Sequence, residues 1–146
     1  GTEGSCEKVK TDLRKVKEAI FSTILGDAAI MNKLARPPLV ERITPDIKFG
    51  KEKAVIQYVG NVTVDSGSKE SGVIVMNVLS YSHDLNDEVA YHLERLFHGR
   101  SPVHWKILTA GDRRVYIRRE FADDLFDDRS QLAVKTLRFR VMYGVA

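Results

Sequence analysis

Residues 72–81 restrict the possible folds of this 146-residue chain more than any other segment. Large apolar side chains occupy both the odd-numbered and the even-numbered positions of this segment: Val73, Ile74, Val75, Met76, Val78 and Leu79. Successive side chains of a strand point to opposite faces, so a strand of this kind needs apolar cover on both faces. We therefore predict a central strand of a sheet. Helices of the same chain can cover one face, and a neighbouring subunit can cover the other.

Two amphipathic segments, residues 11–25 and 84–98, predict the helices that cover the sheet. Each segment places apolar side chains three and four positions apart, which is the spacing of one helix face. These side chains are Leu13, Val16, Ile20 and Ile24 in the first segment, and Leu85, Val89, Leu93, Leu96 and Phe97 in the second. Asp84 is a favourable N-cap for the second helix, and Gly99 is a favourable stop.

The remaining elements follow from caps, breakers and β-rich runs. Asp27 predicts a short helix through residue 34, which Pro37 and Pro38 prevent from continuing. Residues 39–50 have the irregular character of an edge segment. β-branched and aromatic runs bounded by turn residues predict the other strands. These strands are residues 54–59 with a continuation over 62–65, the hairpin strands 104–109 and 114–121 around residues 110–112, and the final strand 133–143.

Helices and strands are therefore segregated along the chain, in the order α-α-β-β-β-α-β-β-β. Segregation without strict alternation favours the α+β class. A length of 146 residues is typical of one domain and suffices for a hydrophobic core. We predict a single α+β domain over residues 11–146, in which a mainly antiparallel β-sheet packs with two amphipathic helices. Residues 1–10 are expected to form a flexible N-terminal extension.

Composition and charge disfavour several classes of protein. The net charge of +3 and the pI of about 9.0 are too weak a bias to predict nucleic-acid binding by themselves. The single cysteine, Cys6, precludes an internal disulfide, which is consistent with a reducing compartment. No apolar run approaches the roughly 20 residues that span a bilayer, and residues 1–10 lack the apolar core of a signal peptide. We therefore expect no membrane partner.

The residue types that carry catalysis do not form a recognisable motif. His83, His92, His98 and His104 have no metal-ligand spacing, and Cys6 lies near the terminus. Asp46 together with the acidic residues 123–128 faintly suggests a metal-dependent nuclease, but the spacing of a nuclease motif is absent. We expect a protein that is not an enzyme, with no catalytic, cofactor-binding or metal-binding residues; the nuclease is the weakest alternative.

Charged residues in the last third of the chain give the candidate interaction site. The basic members are Arg113, Arg114, Arg118 and Arg119 on the hairpin and Arg138 and Arg140 on the final strand. The acidic members are Asp123, Asp124, Asp127 and Asp128, predicted as a loop after the hairpin. A basic hairpin and an acidic loop on opposite edges of one subunit can pair between neighbouring copies. A solvated sheet face and a phosphate-binding face remain open as alternatives.

The order and local character of several segments resemble the tail-terminator or tail-completion proteins of long-tailed phages. The segments are LGDAAIMNKL after the opening helix, RITPDI before the first long strand, AVIQYVGN, GVIVMNVLSYSHDLNDEVAYHLERLF, and the final LRFRVMYGV. They span residues 16–145. The resemblance lies in the order of elements and does not include a diagnostic motif.

The resemblance implies a structural protein of a phage or prophage tail. Such a protein forms a ring, usually of six subunits, that caps the tail tube and joins it to the head connector. The implied partners are the chain itself, the tail tube protein and the head connector proteins. The implied location is the virion tail, with assembly in the host cytoplasm. A nucleic-acid-binding module that uses residues 113–119 is the alternative function.

Overall fold

The computed structural model describes residues 2–47, 52–65, 70–98, 105–110, 113–127 and 131–143. These residues form three helices and six strands in the predicted order, which confirms the α+β class. The helices are α1 (Thr2–Leu25), α2 (Ala28–Met31) and α3 (His83–Phe97). The strands are β1 (Leu34–Val40), β2 (Ala54–Asp65), β3 (Glu70–Ser80), β4 (Lys106–Ala110), β5 (Arg113–Asp127) and β6 (Leu132–Tyr143).

The strands form one sheet in the order β1-β2-β3-β6-β5-β4. Every neighbouring pair is antiparallel except β1 and β2, which are parallel. The predicted central strand is confirmed, because β3 lies between β2 and β6. The predicted hairpin is also confirmed as β4 and β5, with Leu108 opposite Val115.

Helices α1 and α3 cover one face of the sheet, and the core lies between them and that face. The predicted apolar stripes are buried at Val16, Ile20 and Ile24 of α1, at Val89, Leu93 and Phe97 of α3, and at Ile74, Met76 and Val78 of β3. The ring of Phe97 meets that of Phe139 on β6 edge to face, with 6.1 Å between ring centroids. Such a pair adds about 0.5–1.5 kcal/mol to the free energy of burial. The hydrophobic periodicity of these segments therefore determines which face of the sheet is buried.

The opposite face of the sheet is not covered in the same way. Val73 and Val75 of β3 are only half-buried on it. A polar ladder runs across β6, β3 and β2 on this face: Thr136 donates to Asn77 at 2.8 Å, and Asn77 donates to Gln57 at 3.1 Å. These hydrogen bonds satisfy the side chain of Asn77, the polar residue that interrupts the apolar run of β3. Cover of this face by a neighbouring subunit stays a prediction.

Several boundaries differ from the sequence-based expectation. The short helix α2 ends at Met31, and residue 34, predicted as its end, begins β1. The helix α1 begins at Thr2, so it includes residues predicted to form the N-terminal extension. The strand β1 runs through Pro37 and Pro38. Prolines are tolerated in this strand because it is the outermost strand of the sheet, so its outer side forms no ladder hydrogen bonds. The cap of α3 is Ser82 and not Asp84, because the Ser82 hydroxyl accepts a hydrogen bond from the backbone N–H of Leu85.

A buried polar node ties the start of α3 to the sheet. The Ser80 hydroxyl, at the end of β3, donates to Asn86 Oδ1 at 2.6 Å. The Asn86 side-chain amide donates to the backbone carbonyl of Ala133 on β6 at 2.9 Å. Ser80 and Asn86 are fully buried. Because buried polar groups are costly without partners, this node requires α3 to start at one position over β3 and β6.

Substitution Asn86→Ala should destabilise the fold by about 1–3 kcal/mol, because it removes the buried hydrogen bonds that Asn86 makes to the Ser80 hydroxyl and the Ala133 carbonyl. Urea unfolding followed by circular dichroism measures the loss. The control is Asn32→Ala, at an exposed asparagine, which should change stability by no more than about 0.5 kcal/mol. Equal effects of the two substitutions would show that the node does not hold α3.

Candidate subunit interface on strands β5 and β6

The predicted interface residues lie on two neighbouring strands. Strand β5 carries the hairpin arginines Arg113, Arg114, Arg118 and Arg119 and the aspartates Asp123, Asp124 and Asp127. Strand β6 carries Arg138 and Arg140. Asp128 lies outside the described residues. The structure thus brings the basic and acidic groups together on the neighbouring strands β5 and β6. That they meet another subunit stays a prediction.

The prediction of an acidic loop is wrong. Strand β5 continues through Asp127 and pairs with β6, with Asp124 opposite Lys135. The Lys135 ammonium lies 3.3 Å from Asp124 and 3.0 Å from Asp87 on α3, so it offsets the carboxylates that would otherwise disfavour a strand. The acidic and basic residues are therefore successive halves of one strand and do not lie on opposite edges.

Lys135 joins three elements electrostatically. Its partial burial acts to lower its pKa, but hydrogen bonds to Asp87 and Asp124 outweigh burial, so the pKa of Lys135 lies above its usual value. A raised lysine pKa means that the ammonium stabilises the fold at neutral pH. This contribution is complete below the unfolded-state pKa, about 10.4, and is lost as pH rises through the folded-state pKa.

The ion pairs of Glu120 were not predicted from the sequence. The β5–β6 register shifts between Arg119 and Phe121, and Glu120 occupies this irregularity. Its carboxylate forms ion pairs with both Arg138, at 3.7 Å, and Arg140. Strand alternation alone could not place Glu120 beside both arginines, because the register shift is not visible in the sequence. The positive charge of Arg138 and Arg140 is thus partly neutralised within the chain.

Arg118 and Arg119 point to opposite faces, as the strand alternation predicts. Arg119 lies on the helix face, where its guanidinium is 2.7 Å from Glu94 of α3 and its backbone N–H donates to His98 Nδ1 at 3.1 Å. Arg118 lies directly opposite Arg140 and stacks over the Trp105 ring at 4.6 Å. Like charges opposite each other are unfavourable, so the Trp105 ring and the Glu120 carboxylate stabilise the pair.

These contacts limit what the site can do chemically. Four arginines share the uncovered face, namely Arg114, Arg118, Arg138 and Arg140, and Glu120 is the acid that pairs with two of them. Within the part of the chain that the structure describes, no three acidic, histidine or cysteine side chains group as metal ligands. The arrangement is a network of ion pairs on the uncovered face of the sheet.

The far end of β5 presents apolar side chains to solvent. Leu125 is 56% exposed and Phe126 is 50% exposed, between Asp123, Asp124 and Asp127. We call residues 123–127 the distal tip. Strand β4 pairs with β5 only over residues 113–117, so in the described chain no strand lies outside the tip. The Phe126 ring has a neighbour in His83, at 6.2 Å between ring centroids.

A second exposed apolar region lies where α3 passes the start of β4. A cleft of about 730 Å³ opens there, and the described residues that line it are Tyr91, Glu94, Arg95, His98, Trp105, Lys106 and Ile107. We call it the α3–β4 cleft. Tyr91 is 64% exposed and Ile107 is 53% exposed. Tyr91 lies on α3, whereas Ile107 pairs with Tyr116 and Trp105 lies against Arg118, so these two side chains face the uncovered side of the sheet.

Asp27, the N-cap of α2, fixes one side of this cleft. Its carboxylate lies 2.5 Å from the Arg95 guanidinium and accepts a hydrogen bond from the backbone N–H of Ile30 at 3.1 Å. Partial burial acts to raise the pKa of Asp27, but the hydrogen bonds from Arg95 and Ile30 outweigh it, so the pKa lies below its usual value. Arg95 is thus held in one orientation at neutral pH.

Comparison with solved structures finds this fold in a virus-like particle. The chain superposes on a chain of the virion of a native gene transfer agent particle with a TM-score of 0.64 and 13% sequence identity, over 88% of this chain and 93% of that chain. A second solved structure matches with a TM-score of 0.45 and 16% identity, over 89% of this chain and 95% of that one. At 13% identity, the first likeness shows a common fold.

Sequence comparison adds no relative. No protein-family model matches the chain, and no curated protein matches it. None of the helices in the described segments is long and apolar enough to cross a membrane.

Substitution Lys135→Met should lower stability by about 1 kcal/mol at pH 7, because it removes two partly exposed ion pairs. The difference from wild type should disappear above the folded-state pKa of Lys135, where the amine is neutral in both states. Thermal unfolding at pH 7 and at a series of pH values rising above 10.5 measures the difference and its decline.

The matched control is Lys15→Met, at a half-buried lysine of α1 that has no ionic partner among the described residues. It should change stability by less than about 0.5 kcal/mol over the whole pH series. A Lys135→Met effect that does not decline as the pH rises would mean that the lysine stem, and not its charge, stabilises the sheet.

Proposed function

We propose that this chain is a structural subunit of a phage or phage-like particle, and that it forms a ring at the end of the tail. In this role it would cap the tail tube, stop its polymerisation and join it to the head connector. The ring would be a homo-oligomer, with six subunits as the expected number. The tube protein and the connector proteins would be its partners, and no catalytic step is required.

The fold match carries this proposal. The likeness extends over nearly the whole of both chains, so the counterpart in the gene transfer agent virion is a complete α+β chain and not one domain of a larger enzyme. The element order on which the resemblance rests is also the order of the structure. The resemblance and the fold match therefore rest on the same feature of the chain, and both support a role in a virion.

Surface properties of the subunit are consistent with assembly. The sheet has one face that the helices leave half-exposed, with Val73 and Val75 upon it. Large apolar side chains are exposed in several places, among them the distal tip and Tyr91 on α3. A subunit that repeats around an axis needs two different contact surfaces, one for each neighbour.

Nucleic-acid binding is less well supported than assembly. The four arginines of the uncovered face are the basis for it, but Arg138 and Arg140 share an ion pair with Glu120. A phosphate would have to compete with that carboxylate. We expect DNA binding, if measured at physiological salt, to be weak and to fall steeply as salt rises.

Light scattering after size exclusion, across protein concentration, should give one species of several subunits with a mass near that of a hexamer. Because the contact surfaces carry charges, raising the salt concentration should shift this species toward smaller masses. Mass spectrometry of purified particles from cells that encode the chain should detect it in the particle. A chain that is absent from such particles and monomeric at every concentration would contradict the proposal.

A further inference from the structure

We infer that the distal tip and the adjoining start of α3 in one subunit dock on the arginines of the uncovered sheet face in the next copy, and that this contact closes the ring head to tail. The inference rests on the proposed function and deepens it, because it names which surfaces of the chain meet. The partner is a second copy of this chain.

One side of the contact is an arginine patch on the uncovered face of β4, β5 and β6. The strand register places Ile107 opposite Tyr116 and Arg118 opposite Arg140. The members of the patch are Trp105, Ile107, Arg114, Tyr116, Arg118 and Arg140. Among the described residues no carboxylate pairs with Arg114 or Arg118, since Glu120 pairs with Arg138 and Arg140. The patch is therefore positively charged and can accept carboxylates from outside the subunit.

Arg118 is the cation of this patch that is best prepared for a partner. Its guanidinium lies over the Trp105 ring at 4.6 Å, and its Nε is buried without a hydrogen-bond acceptor. Because the ring already restrains this side chain, little further conformational freedom is lost when a carboxylate binds. A carboxylate placed here would also offset the repulsion between Arg118 and Arg140, which lie directly opposite each other.

The other side of the contact is the distal tip together with residues 81–87, which we call the acidic end. The two segments adjoin at two points. The Phe126 ring of the tip lies 6.2 Å from the His83 ring, and Lys135 pairs with both Asp124 of the tip and Asp87 of α3. The acidic end is therefore one surface, formed where α3 begins above the end of the sheet.

Carboxylates outnumber cations at the acidic end. Asp84 and Asp123 have no cationic partner among the described residues, and Asp87 and Asp124 share a single one, Lys135. Three large apolar side chains beside them are each about half exposed, namely Tyr81, Leu125 and Phe126. Apolar side chains bordered by carboxylates therefore face a patch of aromatic and aliphatic surface bordered by guanidinium groups. This combination is typical of protein interfaces, in which charge complementarity sets the orientation.

A protein carboxylate suits the arginine patch better than the phosphate of a nucleic acid. The subunit itself provides an example, since the Glu120 carboxylate binds the neighbouring Arg138 and Arg140. In addition, Ile107 is 53% exposed within the patch, and Val73 lies half-buried beside it, opposite Arg140. Interfaces with nucleic acids are more polar than those between proteins, so a protein partner covers this apolar surface better.

The two surfaces cannot meet within one subunit. Arg118 of the patch lies opposite Arg140, whereas Phe126 of the acidic end lies opposite Ala133, seven residues away on the same strand. At about 3.3 Å per residue, this is a separation of roughly 23 Å along a rigid sheet. The contact must therefore join different copies. Because one surface lies on the face of the sheet and the other at its end, the contact is heterologous, and it produces a ring when the rotation closes.

Site-directed cross-linking tests the contact at two positions that border it and leave its charged and apolar members in place. In a Cys6→Ser background, a chain with Thr109→Cys, next to the arginine patch, is mixed with a chain with His83→Cys, next to Phe126. The two chains carry tags of different size and are treated with a bis-maleimide. Pairs of the two different chains should form, with little cross-linking of either chain alone.

The matched control replaces Thr109→Cys by Ser22→Cys, at a similarly exposed position on α1. It should give no more cross-linking with His83→Cys than random collision does. The contact is overturned if the pair of Thr109→Cys and His83→Cys does not exceed this control. It is also overturned if His83→Cys chains cross-link mainly to one another, since that result requires a symmetric contact.

A charge exchange provides an independent test in solution. The patch variant Arg114→Glu/Arg118→Glu and the end variant Asp84→Lys/Asp123→Lys should each reduce the oligomer fraction at least several-fold. Combining all four substitutions in one chain should restore much of it, because the charges again complement each other. Circular dichroism checks that each variant is folded. Loss of the oligomer without restoration overturns the contact.

The matched control is Arg36→Glu/Arg42→Glu, which changes two exposed arginines outside both surfaces and should leave the oligomer in place. If the patch variant keeps the oligomer but loses binding to a DNA duplex, the patch binds phosphate and the contact is overturned. If wild type forms an oligomer that neither the patch variant nor the end variant affects, the contact is wrong while the ring of the proposed function stands. The proposed function itself fails if the chain is missing from purified particles.

Discussion

Every other feature of the structure depends on the burial of one face of the sheet beneath α1 and α3. The contact between Phe97 and Phe139 lies within this layer, where α3 meets the central strands. The Ser80–Asn86 node then fixes the start of the same helix. Both helices lie on this side; on the other face Val55 and Leu79 are buried, whereas Val73 and Val75 are half-buried. The apolar residues on that face and at the ends of the sheet are what the subunit has available for contacts with other molecules.

Several charged side chains of this protein form ion pairs that stabilise the fold. Glu120 holds Arg138 and Arg140, Glu94 holds Arg119, and Lys135 holds two carboxylates of different elements. The groups that sequence reasoning assigned to a subunit boundary are thus largely engaged within the chain. The groups that remain available for contacts are exposed apolar side chains at several places, among them Leu125 and Phe126. This distribution fits assembly through anchored contacts, with electrostatics that set orientation more than affinity.

The sequence predicts the class, the element order and the buried faces, because these follow from periodicity within single segments. The alternation that buries Leu137, Phe139 and Val141 is an example. It does not predict the strand over residues 123–127, since that strand depends on Lys135 and on Asp87, which is 48 residues from Lys135. Nor does it predict the role of Glu120, which follows from an irregular register. Interactions between distant segments decided both.

Electron microscopy of the purified chain tests the central claim most directly, because it shows whether the subunits close on themselves. The account predicts closed rings with one fixed number of subunits, since a heterologous contact between rigid subunits repeats one rotation. Particles that are single subunits or two-fold dimers, or filaments without a closed form, would contradict it.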